Sequence, residues 1–429
     1  VTMMKQMLKK QLAVAAKKIL ATYNPEIIGV TGSVGKTTTK EAIATVLGSR
    51  FNVRATYKNY NNEIGVPLTV IGATSPGRSL QGWLKVFAQA KKISADAKTT
   101  YPEMLVLEMG VDHPGDMDYL TSIAKPHRAV ITRLGSAHVE FFSSISELHT
   151  EKFKLAQALP EDGVLIYNYE DQELRKKVAD FPYKSISYGF SDGADVKAEA
   201  SSLNFVTHTT RVGVSFKIEY DGSAVPVFVP GLVSRPGVLS ALAAAAVAYS
   251  YNFNSIEISE ALGKFKPPVG RMNVMSGLRE TLIIDDTYNS SPEAVSESLE
   301  TIFEIPKSDY RENWIVLGDM KELGNRSKQA HEEIGALVAE KKFHHLVAVG
   351  PEAEAIFESA KASGMDSDKV WYFAEANEAA EFLAKNISSQ DILLIKGSQA
   401  VRLEKIVKRL MKEPEKAAEL LVRQGSEWN

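Results

Sequence analysis

The sequence predicts an α/β fold in two parts, a P-loop central domain with a mostly parallel sheet and a C-terminal Rossmann-like α/β domain. Short apolar runs alternate with amphipathic helical patterns, and a glycine-rich loop joins one such run to a helix. The Pro-Pro-Val-Gly sequence at 267–270 interrupts the pattern. A chain of 429 residues is too long for one ordinary core. We therefore expect an N-terminal amphipathic helix over 1–24, a central domain over 25–270 and a C-terminal domain over 271–429.

Composition indicates a globular protein without a strong charge bias. Apolar residues make up 44% and charged residues 24%, and the formal net charge of −3 gives no reason to expect nucleic acid. The absence of cysteine excludes disulfides, thiolate zinc sites and cysteine nucleophiles. No apolar run approaches the ~20 residues that span a bilayer, and the N-terminus lacks a signal-peptide pattern. We expect a cytoplasmic monomer without stable membrane insertion.

The first predicted element is a basic amphipathic helix over residues 3–20. Such a helix either lies on an anionic membrane surface or packs on its own domain with a solvated lysine face. We favour packing, and peripheral membrane contact through residues 3–20 stays open. The apolar face consists of Met4, Leu8, Leu12, Ala15 and Ile19, and the basic residues are Lys5, Lys9, Lys10, Lys17 and Lys18.

A phosphate-binding loop follows the first buried strand, Ile27–Val30. Glycines let backbone N–H groups approach anionic oxygens, and the N-terminus of the next helix adds a positive field. Lys36 adds a full charge, and the Thr37 hydroxyl is a ligand for Mg²⁺. Val30 stands where the general pattern has glycine, so an ordinary glycine turn before a helix is the alternative. The predicted phosphate-binding residues are Gly32, Ser33, Gly35, Lys36, Thr37 and Thr38.

Two polar residues follow later buried strands, at the edge where parallel sheets place metal and phosphate chemistry. Glu108 follows the run Met104–Leu107, and His138 comes shortly after the run Ala129–Thr132. We predict that Glu108 holds Mg²⁺, directly or through water, and that His138 faces the same metal region. The alternatives are a carboxylate that caps the next element and a structural histidine.

Other segments have weaker signals. The amide-rich loop 59–69 is suited to contact a base or ribose, and a plain turn network is the alternative. A helix is expected over Leu84–Ala97, and another over Ser146–Leu159, where the spacing of Lys152 and its charged neighbours indicates a solvated face. Alternation over 203–229 predicts antiparallel hairpins that turn at Asp221-Gly222, and Ala241–Tyr249 predicts a tightly packed buried helix.

Strand and helix patterns alternate again beyond the proline-rich break, as in a Rossmann-like domain. The predicted strands are Leu282–Ile284, Trp314–Leu317, Leu346–Val349 and Ile392–Ile395, and the predicted helices lie near 292–304, 328–341, 352–363, 376–385 and 400–411.

Eight segments resemble, in this order, the motifs of the Mur ligase family. They extend over residues 25–411 and are far more specific than the phosphate loop alone. The family loop T-G-x-x-G-K-S/T accounts for Val30. Within the family they are most similar to members that add D-alanyl-D-alanine to a UDP-N-acetylmuramoyl tripeptide. The segments are GVTGSVGKTTTKEAI, NNEIGVPLT, LEMGVDHPGDMDYL, LGSAHVEFF, GRM, IDDTYNSSPEAV, VLGDMKELG and KGSQAVRLE.

This resemblance implies an ATP-dependent ligase of peptidoglycan synthesis that forms an amide through an acyl phosphate. It implies that Lys36 contacts the β- and γ-phosphates, that Thr37 and Glu108 serve one Mg²⁺, and that His138 serves a second. Lys152 falls where the family has a carbamylated lysine, whose carbamate is an anion able to hold Mg²⁺. The catalytic residues implied are therefore Lys36, Glu108, His138 and Lys152.

The same resemblance implies further binding residues and the substrates. Arg271, Asp286 and Asn289 correspond to linker and second-domain residues that close on ATP, and Asn62 is assigned to the adenine side. The segment 396–398 is expected to face the incoming amine. The implied partners are small molecules, a muramoyl peptide and D-alanyl-D-alanine.

Three departures from the family pattern concern the substrates. Only about 26 residues precede the strand that leads into the loop, whereas family enzymes carry an N-terminal domain that grips the UDP portion. Arg235-Pro236-Gly237 stands in the region of a family His-Asn pair, and Gln399 replaces the arginine of the usual KGSR. One alternative is a ligase with a non-UDP or lipid-linked acceptor. Another is a nucleotide-binding regulator without catalysis, which the complete set of predicted catalytic residues disfavours.

Overall fold

The computed structural model describes residues 2–57, 60–95, 100–135, 139–206, 212–306, 310–425 and 428. The chain divides into two units. The first comprises Val1–Ser202, Phe216–Val227 and Leu239–Phe265, and the second comprises Leu203–Ser215, Phe228–Val238 and Lys266–Asn429. Two mostly parallel sheets with helices between their strands confirm the predicted α/β class.

The strands of the first sheet are β1 (Glu26–Thr31), β2 (Val53–Ala55), β3 (Met104–Glu108), β4 (Arg128–Ile131), β5 (Val164–Asn168), β6 (Lys184–Gly189), β7 (Val196–Lys197), β8 (Asn204–Val206), β9 (Gly213–Tyr220) and β10 (Ser223–Pro230). Its parallel part has the order β7-β6-β5-β4-β1-β3-β2. The central strands are mainly apolar, as expected where helices cover both faces of a parallel sheet. β9 is antiparallel to β7 and turns into β10 at Asp221-Gly222, where both φ angles are positive. This confirms the predicted hairpin.

The helices that accompany this sheet are α1 (Thr2–Tyr23), α2 (Lys36–Leu47), α3 (Gly65–Ile71), α4 (Leu80–Ala95), α5 (Asp116–Ile123), α6 (Ile145–Gln157), α7 (Gln172–Val178), α8 (Arg235–Tyr249) and α9 (Ser255–Leu262). The alanines of α8 between 241 and 248 are completely buried, which confirms the expected tight packing. α8 begins at Arg235, earlier than predicted, because proline at its second position needs no N–H partner.

The N-terminal helix packs on its own unit, as favoured from the sequence. Leu12, Ala16 and Ile19 are fully buried in the core of the first unit. The Tyr23 hydroxyl donates a hydrogen bond of 2.9 Å to the Ile93 carbonyl of α4. Burial of this apolar stripe, worth about 25 cal/mol per Å² removed from water, holds α1 in place.

The second sheet consists of β11 (Asn273–Ser276), β12 (Leu282–Asp286), β13 (Asn313–Gly318), β14 (His345–Val349), β15 (Val370–Phe373) and β16 (Ile392–Lys396), with helices α10 (Pro292–Glu304), α11 (Ser327–Glu340), α12 (Glu354–Ala362), α13 (Ala376–Asn386), α14 (Glu404–Leu410) and α15 (Ala417–Leu420). The strand order is β11-β12-β16-β13-β14-β15, and only β11 is antiparallel to its neighbour among these described strands. The Rossmann-like prediction is confirmed in its parallel strands.

Several element boundaries differ from the predictions. α4 begins at Leu80 rather than Leu84 because the Ser79 hydroxyl accepts the N–H of Gly82 and satisfies a free donor of the first turn. The helix predicted over 400–411 begins only at Glu404, since Arg402 has a left-handed φ of 61°. β11 was not predicted because it mixes polar and apolar residues, and β15 was missed although its four residues are all apolar or aromatic.

Among the described residues, no helix is both long enough and apolar enough to cross a bilayer. The cytoplasmic location and the monomeric state stay predictions.

Candidate functional site

The loop between β1 and α2 needs glycine at two positions. Gly32 has a φ of +143°, and a Cβ there would lie 2.0 Å from the Thr132 hydroxyl oxygen. Gly35 has a φ of +83° and caps α2 in a left-handed conformation. Because these residues lack side chains, the backbone of the loop stays open to an anion at the N-terminus of α2.

Hydrogen bonds hold the loop against the end of β4. The Ser33 N–H donates to the Arg133 carbonyl at 2.8 Å, and the Thr132 hydroxyl donates to the Val34 carbonyl at 2.6 Å. The Ser33 hydroxyl oxygen accepts the N–H of Gly135 at 2.8 Å. Lys36 Nζ lies 2.7 Å from the Gly32 carbonyl oxygen, so its ammonium folds over the loop itself.

Glu108 lies beside the loop, as predicted. β1 and β3 are parallel neighbours, and Val30 is in register with Glu108. The Thr37 hydroxyl donates to Glu108 Oε2 at 3.0 Å, and Asn61 Nδ2 donates to Oε1 at 3.1 Å. Glu108 is only 2% exposed, so these donors compensate for the loss of water around its charge. A hydroxyl and a carboxylate in contact are oxygen ligands of the kind that Mg²⁺ prefers.

Lys152 is buried, which corrects the prediction that the charged residues of its helix form a solvated face. Its Nζ donates to the Ser33 hydroxyl oxygen at 2.6 Å, and the residue is 1% exposed. Glu151 is also buried. It accepts a hydrogen bond of 2.9 Å from the Met117 N–H and forms an ion pair with Lys154. Both charges find specific partners inside the unit, and residue spacing along the helix cannot reveal this.

Ser33 thus joins the loop to Lys152. Its oxygen accepts from both Gly135 and Lys152, which occupies both lone pairs. The hydroxyl hydrogen is then the one remaining donor of this side chain, available to an anion. Lys152, Ser33 and the loop backbone therefore form one hydrogen-bonded cluster. Thr37, in contact with Glu108 of β3, lies in the first turn of α2, which follows the loop.

His138, predicted to face a metal, lies outside the described residues. Sequence reasoning missed His149, one turn before Lys152 on α6. His149 is 7% exposed, and its Nε2 is buried without a hydrogen-bond partner among the described residues. Burial lowers the pKa of His149, and the neighbouring Lys152 lowers it further. The spacing of three residues places His149 and Lys152 on the same face of the helix, and this is the sequence signal that could have revealed their proximity. Within the described residues, no three His, Asp or Glu side chains cluster as a metal site.

Asn62, assigned to adenine, binds backbone N–H groups just before a helix in this structure. Its Oδ1 accepts the N–H groups of Ile64 and Gly65 at 3.1 and 3.0 Å, at the beginning of α3. Its neighbour Asn61 is the residue that reaches Glu108, and sequence reasoning did not single it out. A role of Asn62 in binding adenine stays a prediction.

The second unit groups its predicted nucleotide residues at the end of β12. Asp286 Oδ2 accepts from Lys396 Nζ at 2.7 Å, and the same Nζ donates to the Asn289 carbonyl at 3.1 Å. The Arg271 guanidinium carbon lies 4.0 Å from the centre of the Tyr288 ring. Lys396 is 2% exposed, so the lysine of the KGSQ segment is an internal ion-pair partner within this unit.

Comparison with known proteins finds two domains of one family, the Mur ligases. The family described as "Mur ligase middle domain" matches residues 30–77 and 88–248, and the one described as "Mur ligase, glutamate ligase domain" matches residues 270–399. The UDP-N-acetylmuramoyl-tripeptide–D-alanyl-D-alanine ligase of Bacillus subtilis is 30% identical over 400 residues, which are 93% of this chain and 79% of that protein. The Escherichia coli enzyme of the same name is 28% identical and covers 90% and 76% of the two chains.

A solved structure supports the same relationship. The crystal structure of MurF ligase from Thermotoga maritima in complex with ADP superimposes with a TM-score of 0.78 and 29% identity. The match covers 95% of this chain and 84% of that one.

Proposed function

Because the chain belongs to the Mur ligase family, we propose that it is an ATP-dependent ligase of peptidoglycan precursor synthesis. The proposed reaction joins D-alanyl-D-alanine to a UDP-N-acetylmuramoyl tripeptide, as the names of the Bacillus and Escherichia relatives state. The observation that carries the proposal is the cluster of the phosphate loop, Glu108 and Lys152 within one unit.

The chemistry has two steps. The substrate carboxylate attacks the γ-phosphorus of ATP, the bond from that phosphorus to the bridging oxygen breaks, and ADP leaves. The acyl phosphate that results has a good leaving group. The dipeptide amine attacks its carbonyl carbon, inorganic phosphate departs, and the nitrogen loses a proton.

The chain's own residues bind and orient the phosphates. Backbone N–H groups of the loop and the N-terminus of α2 attract the phosphate oxygens. Lys36, which now donates to the Gly32 carbonyl, exchanges this partner for a phosphate oxygen. Phosphoryl transfer needs positioning and charge neutralisation more than covalent help from the protein, so these fixed groups supply most of what the step requires.

We assign Thr37 and Glu108 to one magnesium ion, and a carbamylated Lys152 together with His138 to a second. Mg²⁺ neutralises phosphate charge when bound, and it keeps several waters besides one or two protein oxygens. In the second unit we assign Arg271, Asp286 and Asn289 to the nucleotide, Asn62 to the adenine side, and the 396–398 segment to the incoming amine.

A coupled assay of ADP release tests the proposal. The full chain is incubated with ATP, Mg²⁺, UDP-N-acetylmuramoyl tripeptide and D-alanyl-D-alanine, and each substrate is omitted in turn. We expect ADP release that requires both, and Lys36→Ala should abolish it. ADP release that is independent of either substrate would contradict the proposal, and turnover only with acceptors that lack UDP would correct the acceptor.

A further inference from the structure

Two neighbouring helices of the first unit carry positive charge and no acidic residue. α1 contains five lysines and α4 contains three, and neither sequence includes Asp or Glu. The helices meet where Tyr23 donates to the Ile93 carbonyl. In a chain with a formal net charge of −3, this is a strong local excess of positive charge.

Nearly all of these lysines are exposed and unpaired among the described residues. Lys9 is the exception, since it forms an ion pair with Glu63. Unpaired surface charges contribute little to the stability of the fold, so its stability does not account for their concentration here. Lys5 also lies within electrostatic reach of Glu63. The exposed lysines without a side-chain partner in the described part of the chain are Lys10, Lys17, Lys18, Lys85, Lys91 and Lys92.

Large apolar side chains on the same two helices are exposed to solvent. Leu80 and Leu84, one turn apart on α4, are 73% and 70% exposed. On α1, Met7 and Val14 are 59% and 67% exposed. Each helix also buries an apolar stripe in the core, so these residues are additional to the packed face. We call the exposed lysines and these four apolar residues the basic surface.

We infer that the basic surface binds reversibly to an anionic lipid bilayer. Lysines are attracted to anionic headgroups, and leucines one turn apart can enter the boundary between headgroups and acyl chains. A nucleic acid would attract the lysines but would not bury the exposed leucines. An anionic bilayer attracts the lysines and also buries the leucines. The first half of α4 also falls in the gap 78–87 between the two matched parts of the middle domain. This part of the basic surface therefore lies outside the matched segments of the middle domain.

Sedimentation with lipid vesicles tests this inference, independently of the ligase reaction. The full chain is mixed with vesicles of equal parts phosphatidylglycerol and phosphatidylcholine, or of phosphatidylcholine alone, at low ionic strength. We expect binding to the anionic vesicles only, and its loss at about 0.5 M salt because the Debye length becomes shorter than the distance over which lysines act.

Two variants separate charge from apolar insertion. The triple variant K85E/K91E/K92E should lower the partition coefficient by about tenfold or more. The double variant L80S/L84S, which leaves all charges in place, should lower it several-fold. The matched control K125E/K217E/K264E makes the same change in net charge at exposed lysines elsewhere on the first unit and should bind like the wild type.

Several outcomes would overturn the inference. They are absence of binding to anionic vesicles, equal binding to neutral vesicles, and wild-type binding by the triple variant. Loss of binding in the control variant would point to net charge alone. A nucleic acid would be the occupant instead if low concentrations of polyuridylate displaced the chain from vesicles and the L80S/L84S variant bound vesicles like the wild type. Circular dichroism of each variant shows whether it is folded, so that loss of binding cannot come from unfolding.

Discussion

Lys152 shows that the environment of a charged side chain depends on tertiary contacts rather than on spacing. Its helix carries two glutamates and two lysines at spacings typical of an exposed face, yet Lys152 is 1% exposed and its amine is hydrogen-bonded to Ser33. Lys152→Ala should lower kcat by about a thousandfold, because the variant loses a buried charged group that we assign to the phosphate site. Short carboxylates added to the assay should restore part of the activity if the residue acts as a carbamate.

The matched control for Lys152 is Lys176→Ala, which removes an exposed lysine from the neighbouring α7. This variant should stay within twofold of the wild type. A Lys152→Ala enzyme that also stays within twofold would reject the proposed role of Lys152.

Glu108 is expected to set the magnesium requirement. Glu108→Gln keeps the size and an acceptor for Asn61 or Thr37, but it removes the negative charge. The Mg²⁺ concentration for half-maximal activity should rise by about tenfold, since Mg²⁺ is bound mainly by anionic oxygens. Glu103→Gln, just before the other end of the same strand, is the control and should leave the Mg²⁺ titration unchanged. An unaltered titration in Glu108→Gln would show that the carboxylate does not serve the metal.

Asp285 predicts how stability changes with pH. Burial raises the pKa of Asp285 to about 7 from an ordinary value of 3.8, and its Oδ2 has no partner among the described residues. The folded chain therefore keeps a proton that the unfolded chain releases. Stability should fall as pH rises from about 4 to about 7 and should then level off, with a loss of up to about 4 kcal/mol.

Asp285→Asn tests this titration, because the amide keeps the acceptor for Thr287 and cannot ionise. Urea unfolding at pH 5 and pH 8 should show a smaller difference in this variant than in the wild type. Asp368→Asn, at an exposed position, should retain the wild-type difference. Equal pH dependence of Asp285→Asn and the wild type would exclude Asp285 as its source.

Elements differ in how much of their structure the sequence reveals. Strands such as β3 and β13 are buried on both faces, so a continuous apolar run predicts them. β11 has mixed side chains, and β15 is an aromatic-rich run that is only half-buried over three of its four residues. Both depend on pairing with neighbouring strands, which local pattern does not show. The same holds for the site. Glycine, lysine and hydroxyl spacing predicts the loop, whereas Asn61 and His149 acquire their positions only through tertiary packing.

The segment after α15 is expected to position the loop that follows β12. Arg423 donates to the carbonyls of Thr287 and Tyr288 and pairs with the fully buried Glu404. Arg423→Lys keeps the ion pair but cannot reach both carbonyls, because an ammonium lacks the planar fork of arginine. The KM for ATP should rise by about tenfold with a smaller change in kcat, since Asn289 belongs to the same loop.

Arg409→Lys provides the comparison, because Arg409 is an exposed arginine paired with Glu381 on the same unit. It should leave both kinetic constants unchanged. A wild-type KM in Arg423→Lys would mean that the loop keeps its position without this arginine.

At the scale of the whole molecule, alternation of strands and helices predicts two α/β parts, and the structure has two units. The sequence does not predict that 203–215 and 228–238 group with the second unit while 216–227, the parts of β9 and β10 next to their turn, group with the first. Each part of a hairpin can pack against either of two apolar cores, and the core against which it buries more apolar surface determines the unit to which it belongs. The local sequence pattern contains no information about this difference in buried surface.

Ligand binding should stabilise the whole chain measurably if the loop binds nucleotide. A ligand that binds only the folded state adds RT ln(1 + [L]/Kd), about 2.7 kcal/mol at a hundredfold excess over Kd. Mg²⁺ with ADP should therefore raise the melting temperature of the transition that includes the first unit by about 5 to 10 °C. Lys36→Ala should lose most of this shift and Lys176→Ala should keep it, since only Lys36 lies on the loop. A shift that is the same in Lys36→Ala would place the nucleotide elsewhere, because the positive charge at the N-terminus of α2 would then contribute nothing to binding.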